Sequence, residues 1–163
     1  MNNVERTMDL LSNGMNCSQA IVTAFGEPYG LDMGLLASLG RPLAGGMGRS
    51  GRTCGAVSAA AIVLGLAKDH PAEIEARQDT FAHVRQLLKR FEALHGSTEC
   101  RDLLGADWTT EEGLKKIREE NLVKNRCPAF VRDAATILEE LMASTCSPPA
   151  EAAACCSCRE SAA

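Results

Sequence analysis

The sequence predicts an all-α fold: a compact helical bundle around a buried apolar helix at about 54–67, with a Gly/Arg-rich loop and a mobile, Cys-rich C-terminal tail. Three observations carry this. Aromatic residues are scarce, with one Trp, one Tyr and four Phe, while Ala, Leu and Gly abound, a composition suited to closely packed helices. Apolar residues recur at helical spacing in several segments. No useful run alternates apolar and polar residues as a half-buried strand would.

From the N-terminus, Val4, Met8, Leu11 and Met15 lie on one helical face. Asn16 then caps a second helix, with Gln19 placed to close a capping box. The segment CGAVSAAAIVLGLA at 54–67 is apolar on all sides, so it reads as the central helix. A long helix follows between Pro71 and Gly96, matching the proline-first, glycine-last habit of helices, with Phe81, Val84, Leu88 and Phe91 as its inward face. Pro128 is expected to open a last helix whose face is Val131, Ala134, Ala135, Leu138 and Leu141–Met142. Residues 40–55, GRPLAGGMGRSGRTCG, hold six glycines and three arginines and break the pattern. So does the tail from Cys146 onward, with paired prolines and small residues.

At 163 residues the chain has the size of one domain, read as a helical four-cysteine domain at 1–144 and a flexible tail at 145–163. A net charge of -4 and a pI of about 5.4 argue against nucleic acid as a partner. The longest apolar run, 55–67, is far short of the ~20 residues that span a bilayer, and the acidic start MNNVERTMDL does not resemble a signal peptide. The reading is a cytoplasmic protein with no membrane insertion.

Eight cysteines are the informative feature, because in a reducing compartment such a number points to metal binding or redox chemistry. Four of them are expected at helix starts: Cys17 after Asn16, Cys54 after Thr53, Cys100 three residues beyond Ser97, and Cys127 at the cap before Pro128. Free N–H groups and the positive end of the helix dipole favour an anionic sulfur there, an environment that lowers a thiol pKa from ~8.5 toward neutrality. The charge pattern agrees. No acidic residue lies between Asp32 and Asp69, whereas Arg41, Arg49 and Arg52 fall in the glycine-rich loop.

That loop contains Gly46-Met47-Gly48-Arg49-Ser50-Gly51, a G-x-G-x-x-G string. Without a preceding strand and a βαβ unit it is not a nucleotide site. Gly48, Arg49, Gly51 and Gly55 are expected to support whatever Cys54 holds, through positive φ and close backbone approach. No C-x-x-C-H exists, so no covalent haem is expected. His83 and His95 read as surface or core positions, and Trp108 and Tyr29 as packing residues.

The run NGMNCSQAIVTAFGEPYGLD, the Gly/Arg loop, TCGAVSAAAIVLGL, CRDLLG and RCPAFVRDAATILEEL together resemble the C-GCAxxG-C-C family of redox-active proteins over roughly residues 10–142. Its four cysteines fall on Cys17, Cys54 (with Gly55 and Ala56), Cys100 and Cys127. The final glycine of the motif is Ala59 here. The family is similar to the iron–sulfur portion of split-Soret cytochromes, so the resemblance implies that these four cysteines ligate an iron–sulfur cluster and serve electron transfer to a redox partner protein.

Two other readings stand beside it. One is metal-free thiol–disulfide exchange with the tail cysteines resolving a mixed disulfide. The other is a metal-binding module, with zinc on the four core thiols and a soft metal at a second site formed by Cys146, Cys155, Cys156 and Cys158. A helical protein with a site near its surface could also pair as a homodimer. No nucleophile–base–acid constellation points to substrate-level catalysis.

Overall fold

The computed structural model describes residues 1–67 and 72–143. The described residues form eight α-helices: α1 (Asn3–Ser12), α2 (Cys17–Gly26), α3 (Met33–Gly40), α4 (Gly55–Ala67), α5 (Glu73–His95), α6 (Cys100–Leu104), α7 (Glu111–Glu119) and α8 (Leu122–Ala143). No strand occurs among the described residues, in line with the all-α expectation. The expected C-terminal extension, with Cys146, Cys155, Cys156 and Cys158, lies outside the described residues.

Local chemistry sets the first helix starts. The Asn2 side chain accepts from the N–H of Glu5 while the Glu5 carboxylate accepts from the Asn2 N–H, a complete capping box at α1. Asn16 and Gln19 form a second one at α2, as the sequence predicts. Asp32 caps α3 through the N–H of Leu35 at 2.9 Å.

Three helices, α2, α4 and α8, supply most of the centre. From Ser18 to Gly26 α2 is buried except at Gln19, and it lies against α1, α3 and α4. α4 buries Val57, Ala60, Val63 and Leu64 but leaves Ile62 44% exposed, so it is central without being enclosed on every side. α8 crosses α1, α4 and α5 and contributes Val131, Ala134, Ala135, Ile137 and Leu138 to the same core.

Two sequence expectations are corrected. Along α5, Leu87 and Phe91 are buried, whereas Phe81 is 55% exposed. The buried positions of α5 lie in its second half, at Leu87 and Phe91, and the earlier turn that carries Phe81 stays at the surface although it shares the periodicity. The second correction concerns Pro128, which lies inside α8 rather than at its start. The helix begins six residues earlier, at Leu122, because Leu122 is buried and anchors the first turn. Lacking an N–H, Pro128 leaves the carbonyl of Lys124 without its helical donor.

Buried side chains form two clusters. The larger one spans α1 to α5 and α8, takes in Leu103 of α6, and includes Cys54, with Cys17 packed against it. The smaller one joins Cys100, Leu104, Ile117 and Leu122, with Trp108 and Cys127 packed against it. The four cysteines thus stand on the seam between the two, two on each side.

Candidate functional site

Each cysteine is placed by a different local device. Cys17 is the first residue of α2. Cys54 stands at the start of α4: its carbonyl accepts from the Ser58 N–H at 2.9 Å, and the N–H groups of Ala56 and Val57 face its sulfur. The cysteine itself therefore occupies the cap position expected for Thr53, which instead pairs with Glu99 in an isolated antiparallel bridge. Around that bridge the Cys54 N–H donates to the Thr98 carbonyl at 2.8 Å and the Cys100 N–H to the Arg52 carbonyl at 2.7 Å. This short strip holds the two cysteine-bearing segments side by side. Cys100 then opens α6.

Cys127 departs from the expected pattern. It is the sixth residue of α8, not a cap, and it reaches the site because α8 starts upstream of it. The helix-start rule holds for three of the four.

All four sulfur-bearing residues line one cavity of ≈ 640 Å³. The same cavity is bordered by Arg49, Trp108 and Lys124, and on its apolar side by Met8, Met15 and Phe130. Among the described residues, no three His, Cys, Asp or Glu side chains are grouped closely enough to hold a metal ion.

The expectation of lowered thiol pKa values is overturned. Burial, the dominant cause, raises all four thiols above the ordinary 9.0, and the charges of neighbouring cysteines push Cys54, Cys100 and Cys127 further up. Cys54 is pushed up to about 12. The N–H groups do act in the predicted direction, from Ser18 and Gly45 toward Cys17 and from Ala56 and Val57 toward Cys54. Desolvation outweighs them, since removing an anion from water costs more than a few amide dipoles return.

The Gly/Arg loop is shaped around the site by backbone conformation. Gly45, Gly46, Met47, Gly48 and Arg49 all have φ between 61° and 72°, a run in the left-handed region that glycine alone adopts freely. Met47 and Arg49 each hold it at a cost of about 1–2 kcal/mol. A Cβ on Gly55 would stand 2.8 Å from the Leu43 carbonyl oxygen and 2.9 Å from the Cys17 sulfur, so the loop and α4 meet only because this residue has no side chain.

The predicted loop residues divide accordingly. Arg49 and Gly55 line the cavity, whereas Gly48 and Gly51 do not. Gly48 borders open space and Gly51 packs on Arg101, so these two shape the loop without touching the site. Arg41 and Arg52 likewise point elsewhere, leaving Arg49 as the one arginine of the island at the cavity.

Sequence reasoning missed Trp108, Gly45 and Lys124. Trp108 is more than a packing residue: its indole N–H donates to the Cys100 sulfur at 3.4 Å, and the Arg49 guanidinium sits 5.2 Å above its ring. No periodicity could reveal this, because Gly105 ends α6 between the two residues. His83 lies 3.2 Å from the Asp79 carboxylate and His95 3.0 Å from that of Asp133, and neither lines the cysteine cavity.

Residues 15–141 match the family model described as "Putative redox-active protein (C_GCAxxG_C_C)". No curated protein and no solved structure matches the chain. Among the described residues, no helix is long and apolar enough to cross a membrane.

Proposed function

Since the chain belongs to the C_GCAxxG_C_C family of redox-active proteins, we propose that it is an electron-transfer protein whose Cys17, Cys54, Cys100 and Cys127 hold an iron–sulfur cluster. One observation carries the reading: the four cysteines, drawn from four helices, line a single cavity of ≈ 640 Å³. Four thiolates are the usual ligand set for such clusters. A tetrahedral zinc ion on the same four thiols is the competing occupant, and the metal count below separates the two. A polynuclear cluster takes each sulfur at a separate corner and so suits a ring of thiols around a cavity.

The donor set fits in a second respect. Buried thiols with raised pKa values disfavour one another's ionisation, and cationic metal binding relieves that repulsion as protons leave. A bound cluster supplies reversible one-electron transfer. The chain's own residues bury the sulfurs, direct the N–H groups of Gly45, Ala56 and Val57 and the Trp108 indole toward them, and place Arg49 and Lys124 at the border. Such donors favour the more negative reduced state and thereby tune the potential.

Metal-free thiol–disulfide exchange is the weaker reading. It needs an accessible thiolate, and burial pushes all four thiols the other way. The test is a UV–visible spectrum of anaerobically purified protein, with iron, acid-labile sulfide and zinc counted in the same sample. Broad absorption near ~400 nm with matched iron and sulfide supports the cluster, and each single Cys→Ser change at the four positions should abolish it. Protein that stays colourless after reconstitution, or four serine variants with unchanged spectra, would overturn the reading.

A further inference from the structure

Beside the cysteine cavity lies a second hollow of ≈ 360 Å³, lined by Arg49, Trp108, Leu114, Ile117, Arg118, Asn121, Val123 and Lys124. Its lining holds three cations and no acidic side chain, in a protein of net charge -4. None of Arg49, Arg118 and Lys124 forms an ion pair with a described residue. Arg118 and Leu114 also border an adjoining depression with Glu111, Lys115 and Glu119, where Glu119 pairs with Lys115 at 3.9 Å and forms no ion pair with Arg118. The first turn of α8 borders the hollow at Val123 and Lys124, adding the positive end of that helix's dipole. Leu114, Ile117, Val123 and the Trp108 ring supply an apolar wall. Three unneutralised cations around an apolar wall make a lining suited to an anionic head carrying a flat apolar body.

We propose that this hollow binds a small organic anion, its carboxylate or phosphate held by Arg49, Arg118 and Lys124 and its apolar body against Trp108. The site communicates with the cysteines through Trp108, whose ring carries Arg49 and whose N–H reaches Cys100. Binding itself stands independently of whether a cluster is present, while any effect on a redox potential rests on the function proposed above.

The sequence contains a single tryptophan, which lines both this hollow and the cysteine cavity, so intrinsic fluorescence reports binding and a change at Arg118, which lines the hollow and not the cavity, assigns it. Full-length protein, both as purified and stripped of metal, is titrated at constant ionic strength with phenyl phosphate and benzoate, and with inorganic phosphate and acetate as heads without a body. The expected result is a saturable change for the aryl anions, at least about tenfold tighter than for the bare heads. Arg118→Gln and Lys124→Gln should each weaken aryl-anion binding by about tenfold, the loss of one charge-assisted hydrogen bond, with unchanged helical circular dichroism. No saturable response, or parent-like affinity in both variants, would overturn the site. Equal binding of inorganic phosphate and phenyl phosphate would overturn the organic class of ligand. Binding in the stripped protein separates this inference from the cluster, because a failed reconstitution leaves the titration intact.

Discussion

The indole N–H of Trp108 points at the sulfur of Cys100, 3.4 Å away, while the opposite task of the same ring, carrying the Arg49 guanidinium, faces the neighbouring hollow. One side chain therefore touches a buried thiol and a solvent-facing cation. Its N–H is the side-chain donor that lowers the Cys100 thiol against the larger effect of burial. Trp108→Phe keeps a ring for Arg49 and removes the donor. In metal-free protein the Cys100 thiol then moves further up, and its alkylation by iodoacetamide near neutral pH slows by about tenfold for each pKa unit gained. Peptide mass spectrometry of timed samples checks this; unchanged Cys100 kinetics would show that the N–H–sulfur contact has no consequence. With a cluster bound, the same change is expected to lower the reduction potential.

Alkaline pH should destabilise the metal-free protein. Cys54 rises from 9.0 to about 12 on folding, so above about pH 9 the folded protein keeps a proton that the unfolded chain has lost. The stability tied to this group is complete below pH 9 and falls away as pH rises through the folded value. Urea midpoints should hold steady from pH 7 to about 8.5 and decline from about 9 to 11, with the decline shallower in Cys54→Ala. A midpoint that climbs over that interval would contradict the assignment.

Two glycines of α4 should respond in opposite ways to alanine. At Gly55 the added Cβ meets the Leu43 oxygen at 2.8 Å and the Cys17 sulfur at 2.9 Å, so Gly55→Ala should cost about 1–3 kcal/mol and shift Cys17 from the cavity. Gly65 has open space around it, so Gly65→Ala should stabilise the protein by about 0.5–1 kcal/mol through helix propensity. Denaturant unfolding of the pair measures both signs at once.

Removing residues 144–163 should leave the visible absorption of reconstituted protein unchanged. All four proposed ligands precede the cut, and the described span of α8, Leu122–Ala143, is retained. A truncated protein that takes up no iron would assign the tail cysteines a part in loading the site, and the four-cysteine ligand set would need revision.

Helix identity was largely legible from the residues. Asn16 with Gln19 marked the start of α2, and the apolar run after Cys54 marked α4, because capping and burial leave local signatures. The start of the helix containing Cys127 is not legible in the sequence, since Pro128 resembles a first-turn proline and the burial of Leu122 has no local sign. Periodicity places Phe81 inward, because it records the face a helix can bury and says nothing about which of its turns the neighbours cover.

The sequence by itself determined the helical class, the four cysteine positions and the family to which they belong, because each depends on residue type and on spacing within a few turns. Only the tertiary structure decided that these cysteines share one cavity, that burial overrides the helix-start field at their sulfurs, and that Trp108 and Lys124 join them. Those outcomes depend on distances between segments far apart in the chain and on how much water the packed helices exclude. Neither quantity is written in any local stretch of residues.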